Sequence, residues 1–129
     1  MKILVADDDE FFLKMIEDIL TGAGHDVVAA SDGVETLDKA QSENPDVIVL
    51  DIVLPGLLGT EVCEQLREHS LTAKIPILLI SSRFAEIESD AGLLEYFKAD
   101  DFLRKPFNAD ELIRRVNNLF GFPSITSDD

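Results

Sequence analysis

Short, uninterrupted apolar runs alternate along this chain with stretches in which apolar residues recur every three or four positions. The first run is Ile3 to Ala6. Helical spacing follows at Phe12, Met15, Ile16, Ile19 and Leu20, and Gly22 and Gly24 end it. The second run is Val27 to Ala30, after which Asp32 and Glu35 stand as a capping box before Leu37 and Ala40. Pro45 breaks the chain ahead of the third run, Val47 to Leu50, and a loop with Pro55, Gly56 and Gly59 comes next. Thr60 is expected to cap a helix carrying Val62, Cys63 and Leu66. Pro76 precedes the fourth run, Ile77 to Ile80, and a less regular helix is predicted around Ile87 to Phe97, weakened by Gly92. The fifth run is only Phe102-Leu103. Asn108 and Glu111 then cap a last helix with Leu112, Ile113, Val116, Leu119 and Phe120, which Gly121 and Pro123 close.

Five strand–helix units in regular alternation predict a parallel sheet with helices on both faces. The continuously apolar runs agree, because a strand covered on both sides has no polar face. With right-handed crossovers the expected architecture is α/β: a flavodoxin-like, doubly wound, five-stranded parallel sheet of order 2-1-3-4-5 with five helices. The chain has 129 residues, enough for one domain that buries roughly two thirds of its unfolded surface without disulfide or metal. That domain is expected over 1–121, with 122–129 a polar tail or the start of a linker.

Composition narrows the function classes. There are 26 acidic against 11 basic residues, a net charge of −15. Such a chain repels nucleic acid and anionic lipid and attracts cations and basic partners, so no direct nucleic-acid or membrane contact is expected. A lone cysteine, Cys63, excludes an intrachain disulfide and fits a reducing compartment. The apolar start is too short for a signal peptide and no run reaches membrane-spanning length, so the expected location is the cytoplasm.

In a sheet of this order, ligands bind at the carboxyl ends of the strands. Asp7, Asp8 and Asp9 follow the first run, Asp51 the third, Ser81 and Ser82 the fourth, and Lys105-Pro106 follow the fifth after one residue. Adjacent strands thus bring carboxylates, a hydroxyl and an ammonium to one edge. Clustered carboxylates repel, and a hard, partly hydrated divalent cation such as Mg2+ relieves them. A metal with open positions, a lysine and a hydroxyl together hold phosphate oxygens, and an aspartate there can itself attack phosphorus. Asp9 reads instead as a helix cap, Ser82 as turn chemistry, Cys63 and Phe97 as packing, and His25 and His69 as surface residues.

These residues are similar to the motifs of response-regulator receiver domains, the phospho-accepting modules of two-component signalling. The resemblance rests on Ile3-Leu4-Val5-Ala6-Asp7-Asp8-Asp9, on Pro45 to Asp51, and on Leu54-Pro55-Gly56 with Gly59. It rests also on the run ending in Ser81 and on Lys105-Pro106-Phe107, and it covers about residues 2–120. It implies that Asp51 is the phosphoacceptor. Asp7 and Asp8, with Asp51 and the backbone carbonyl of Val53, hold Mg2+. Ser81 and Lys105 contact the phosphoryl group, and Phe102 swings inward when the hydroxyl moves. The donor would be a histidine kinase or a histidine phosphotransfer protein. The response would be a changed surface on the fourth predicted helix, the fifth strand and the fifth helix, read by a downstream protein or a fused effector domain. The domain would assist its own phosphorylation and dephosphorylation without being an enzyme with a released product.

Departures from the pattern are Leu57-Leu58 before Gly59, from which an apolar docking patch on the loop after Asp51 is expected, and Lys98 where glycine is common. Two rival readings remain at this point. One is a phosphatase of the haloacid dehalogenase type using Asp7 and Asp9, although Phe11 stands where that family has Thr or Val. The other is an interaction domain that keeps the fold without the phosphorylation.

Overall fold

The computed structural model describes residues 1–57, 59–81, 95 and 98–120. The elements run β1 (Lys2–Ala6), α1 (Glu10–Gly22), β2 (Asp26–Ala30), α2 (Gly33–Glu43), β3 (Val47–Asp51), α3 (Gly59–Glu68), β4 (Ile77–Ser81), β5 (Asp101–Arg104) and α4 (Ala109–Leu119). All neighbouring strands are parallel, in the order β2-β1-β3-β4-β5. This is the expected flavodoxin-like sheet. Four helices stand among the described residues, and α4 is the last of the predicted ones. Apart from Glu95, the predicted helix at 87–97 lies outside the described residues, as do residue 121 and the predicted tail at 122–129.

Alternation along each strand divides the core into two layers. Leu4, Ala6, Ile48, Leu50, Ile77, Leu79 and Phe102 point to the side of α2 and α3, where Ala40, Val62, Cys63 and Leu66 meet them. Ile3, Val5, Val47, Val49, Leu78, Ile80 and Leu103 point to the side of α1 and α4, onto Ile16, Leu20, Leu112 and Val116. The central strands β3 and β4 are buried at every position, whereas β2 is largely half-buried, as an edge strand should be.

Local chemistry sets the helix starts. The Asp9 carboxylate accepts from the Phe11 and Phe12 amides at 3.0 and 3.2 Å, and Asn108 Oδ1 accepts from Glu111 N at 2.8 Å. Asp32 accepts from Glu35 N at 2.7 Å, while the Glu35 carboxylate reaches past the cap to Ser31 N at 2.8 Å. That contact draws the Glu35 carboxyl below its ordinary range, mainly through the Ser31 amide and then Lys39. At α3 the expectation fails. The helix begins at Gly59, so Thr60 is inside it rather than its cap. A β-carbon at Gly59 would collide with the Ile52 carbonyl, and Gly59 N donates to that same oxygen at 3.1 Å. Tertiary contact, not capping propensity, decides this start.

The amino ends of the strands are tied by polar groups. Lys2 and Asp46 exchange hydrogen bonds, Lys2 N to Asp46 Oδ2 and Asp46 N to the Lys2 carbonyl, each 2.8 Å. Arg67 spans from α3 to the carbonyls of Lys98 at 2.9 Å and Ile75 at 2.7 Å and to Asp100 Oδ2 at 2.9 Å, and Asp100 also accepts from Ile77 N at 2.8 Å.

Candidate functional site at the carboxyl edge of the sheet

Strand register builds the site. Ala6 pairs with Leu50, so the next residues, Asp7 and Asp51, stand side by side. Asp51 pairs with Ile80, which puts Ser81 one step beyond it, and Ser81 pairs with Arg104, which puts Lys105 one step further. The Lys105 amide donates to the Ser81 carbonyl at 3.1 Å, and the Lys105-Pro106 peptide is cis. Asp7, Asp8, Asp51, Val53, Ser81 and Lys105 all line one cleft of about 220 Å³, together with Asp9. Six residues singled out in the sequence are therefore brought together. Phe102 is not among them. It is buried in the α2/α3 layer with the Arg104 guanidinium 5.1 Å from its ring centroid.

The Lys105 ammonium lies 2.8 Å from Asp7 Oδ2 and 2.8 Å from Asp51 Oδ2. Side-chain exposure is 0% for Asp7, 8% for Asp51 and 11% for Lys105, so these charges interact with little screening by water. The second oxygens are fixed by backbone: Asp51 Oδ1 accepts from Val53 N at 2.9 Å and Asp7 Oδ1 from Asp9 N at 3.0 Å. Burial pushes the Asp7 carboxyl above its ordinary value, more than Lys105 and the Asp9 amide lower it, and the nearby Asp51 charge adds to the rise. Burial works against the Lys105 ammonium, but Asp51 and Asp7 outweigh it and raise its pKa.

Oxygens of Asp7, Asp8 and Asp51 lie within 4.8 Å of one another. An all-carboxylate oxygen set, with one member exposed and so open to hydrated ligands, fits a hard divalent cation such as Mg2+. One ammonium among these carboxylates leaves the cleft negative, which favours a further cation before any phosphoryl group approaches.

The remaining assignments separate cleanly. Asp9 spends its carboxylate on the α1 amides. The Asp7/Asp9 phosphatase pairing thus loses its second acid, and that rival is set aside. The Cys63 thiol is buried and pushed up to about 12 by desolvation, which makes it packing rather than a nucleophile. His25 and His69 are half-buried rather than fully exposed. His69 Nδ1 accepts from Leu71 N at 3.1 Å, and neither histidine lines the cleft. The apolar loop turns inward in its described part: Leu54 is buried, and Leu57 packs on the core against Gly33, where a β-carbon would come within 2.6 Å of it. Leu58, Ser82 and Phe97 lie outside the described residues.

One contact was not foreseen. The Phe12 ring lies beneath the Lys105 ammonium, 4.3 Å from centroid to nitrogen, and Phe107 meets the same ring edge-on at 5.7 Å and 72°. Helical spacing marks Phe12 as apolar-facing; that the amino-terminal end of that stripe reaches a charged group from β5 is visible only in three dimensions.

A family model described as the response regulator receiver domain matches residues 3–117. The chain is 45% identical over 118 residues to the alkaline phosphatase synthesis transcriptional regulatory protein PhoP of Bacillus subtilis, covering 92% of this chain and 48% of that protein. It is 44% identical over 119 residues to the response regulator MprA of Mycobacterium avium, covering 92% of this chain and 50% of that one. The chain thus spans about half the length of these curated relatives. Among solved structures, a putative response regulator from Chloroflexus aurantiacus superposes with a TM-score of 0.85 at 36% identity, covering 93% of this chain and 97% of that one. The receiver domain of sensor histidine kinase PA1611 from Pseudomonas aeruginosa, with a magnesium ion coordinated in its active-site cleft, gives 0.84 at 26% identity, with the same coverage of 93% and 97%.

Proposed function

The chain belongs to the response regulator receiver domain family of two-component signalling, and from that membership we propose that Asp51 is its phosphoacceptor. The observation that carries this is the Asp51 carboxylate, 8% exposed, held by Val53 N and by Lys105 in a cleft with two further aspartates. A carboxylate oxygen of Asp51 attacks the phosphorus of a phosphohistidine on a histidine kinase or phosphotransfer protein. The P–N bond breaks, the imidazole leaves with the electron pair and takes a proton, and an acyl phosphate remains. Asp7, Asp8, Asp51 and the Val53 carbonyl would hold Mg2+, which neutralises charge on the phosphoryl oxygens. Lys105, already bound to Asp51, is within reach of the incoming oxygens, and Ser81 lines the same cleft.

The domain acts as a signalling switch and helps catalyse only its own phosphorylation and dephosphorylation. Movement of Ser81 and Lys105 toward the phosphoryl group would release Phe102 to change its packing and alter the surface formed by β5 and α4. The switch partner is a downstream protein or a fused effector domain, and the domain itself occupies 1–121. No described helix is long and apolar enough to cross a membrane; family membership supports a cytoplasmic location, and the net charge of −15 disfavours direct nucleic-acid contact by this chain.

Incubation with a small phosphodonor and Mg2+, followed by intact-mass measurement, tests the assignment. One added phosphoryl group, absent in Asp51→Asn, is expected. Equal labelling of Asp51→Asn would overturn it.

A further inference from the structure

We infer that Phe12 is a positioning residue for Lys105, holding the ammonium over the site through the face of its ring. The inference rests on the proposed role of Asp51 and deepens it. Two carboxylates bind the ammonium at 2.8 Å, and the Phe12 ring lies 4.3 Å away. The aromatic face carries negative charge density and attracts a desolvated cation. The ring is itself fixed, because it caps the α1/α4 core layer and takes the edge of Phe107 at 5.7 Å. Phe107 follows Lys105 by two residues, so the chain that carries the lysine also supports the ring beneath it.

The chemistry asks for such a partner. When Asp51 becomes an acyl phosphate, its carboxylate charge is lost and the acceptor oxygens for Lys105 shift to the phosphoryl group. The hydrogen bond to Asp51 Oδ2 must break during that shift, leaving Asp7 as the one fixed carboxylate bound to the ammonium. Attraction to a ring face is weakly directional and persists while the ammonium slides from one acceptor to the next. Phe12 therefore keeps the amine confined at the moment its other contacts change.

Replacing Phe12 by mono-, tri- and pentafluorophenylalanine weakens the ring's charge distribution while nearly preserving its shape. The rate of phosphoryl uptake from a small phosphodonor with Mg2+ should fall stepwise with fluorine number, about three- to thirty-fold at pentafluoro. Phe12→Tyr should keep the unmodified rate and Phe12→Leu should not. The amine resonances of Lys105, followed by NMR, should shift with each fluorine. A core residue without this role would leave rate and resonance unchanged across the series. Normal uptake by the unmodified protein with an unchanged rate at pentafluoro overturns this inference alone. No uptake by the unmodified protein overturns the phosphoacceptor assignment and the inference with it.

Discussion

At the amino ends of the strands, Lys2 Nζ meets the Glu43 carboxylate at 3.2 Å, and both side chains are about two-fifths exposed (39% and 42%). At the carboxyl ends, Lys105 Nζ meets two carboxylates at 2.8 Å, and all three groups are almost fully buried. The amino end matches its charges: Asp46 takes the Lys2 amide, and Asp100 takes both Arg67 and the Ile77 amide. The carboxyl end leaves one ammonium to serve Asp7 and Asp51, with the Asp8 carboxylate close by. Exposed, balanced pairs tie strand starts together at little energetic consequence. A buried, unbalanced set stores repulsion that an added cation relieves. The same residue types thus fasten the fold at one end and prepare chemistry at the other.

Three measurements would break or sharpen that contrast. The largest effect is expected for Lys105→Met in Mg2+-free buffer, which strands two buried carboxylates and should cost about 3 kcal/mol by urea denaturation. Next, Mg2+ at about a hundred times its Kd should add about 2.7 kcal/mol to the stability of the unaltered protein. Asp7→Asn should lose most of that gain in the same urea titrations, and an equal gain in the variant would mean that the cation binds elsewhere. The smallest effect belongs to Lys2→Met, within about 1 kcal/mol. A Lys2→Met cost as large as that of Lys105→Met would erase the distinction between the two ends.

The carboxyl edge was largely legible in the sequence, for a physical reason. Strands buried on both faces must be apolar throughout, so the first polar residue after each run marks a strand end, and the topology aligns those ends. Asp7, Asp51 and Ser81 follow from that alone, and Lys105 lies one residue past the end of its run. Fine placement did not follow. Asp51 and Ser81 are the last paired residues of their strands rather than the first of their loops. Glu35 reaches Ser31 instead of closing a box on Asp32. Leu57 turns onto Gly33 because α2 lies beside the loop, a neighbour that no local pattern announces. The Phe12 ring was legible as apolar but not as the floor of a charged site, since its partner comes from the far end of the chain. Thr60 shows the same limit: a good capping residue gives way where the backbone of Ile52 requires glycine one position earlier.

That glycine has a meaning for how the loop after Asp51 can diverge among descendants of this sequence. The Ile52 carbonyl is clasped by Gly59 N, and the Asp51 carboxylate by Val53 N. The segment is thereby latched at its base, close to the reactive carboxylate, while its turn at Pro55-Gly56 stays exposed. A lineage can vary the exposed side chain at Pro55 without disturbing the acceptor, whereas any side chain at Gly59 would collide with the Ile52 carbonyl. Variation should collect on one side of the latch and stop at the other, so that new recognition features can arise beside a site whose geometry is held constant.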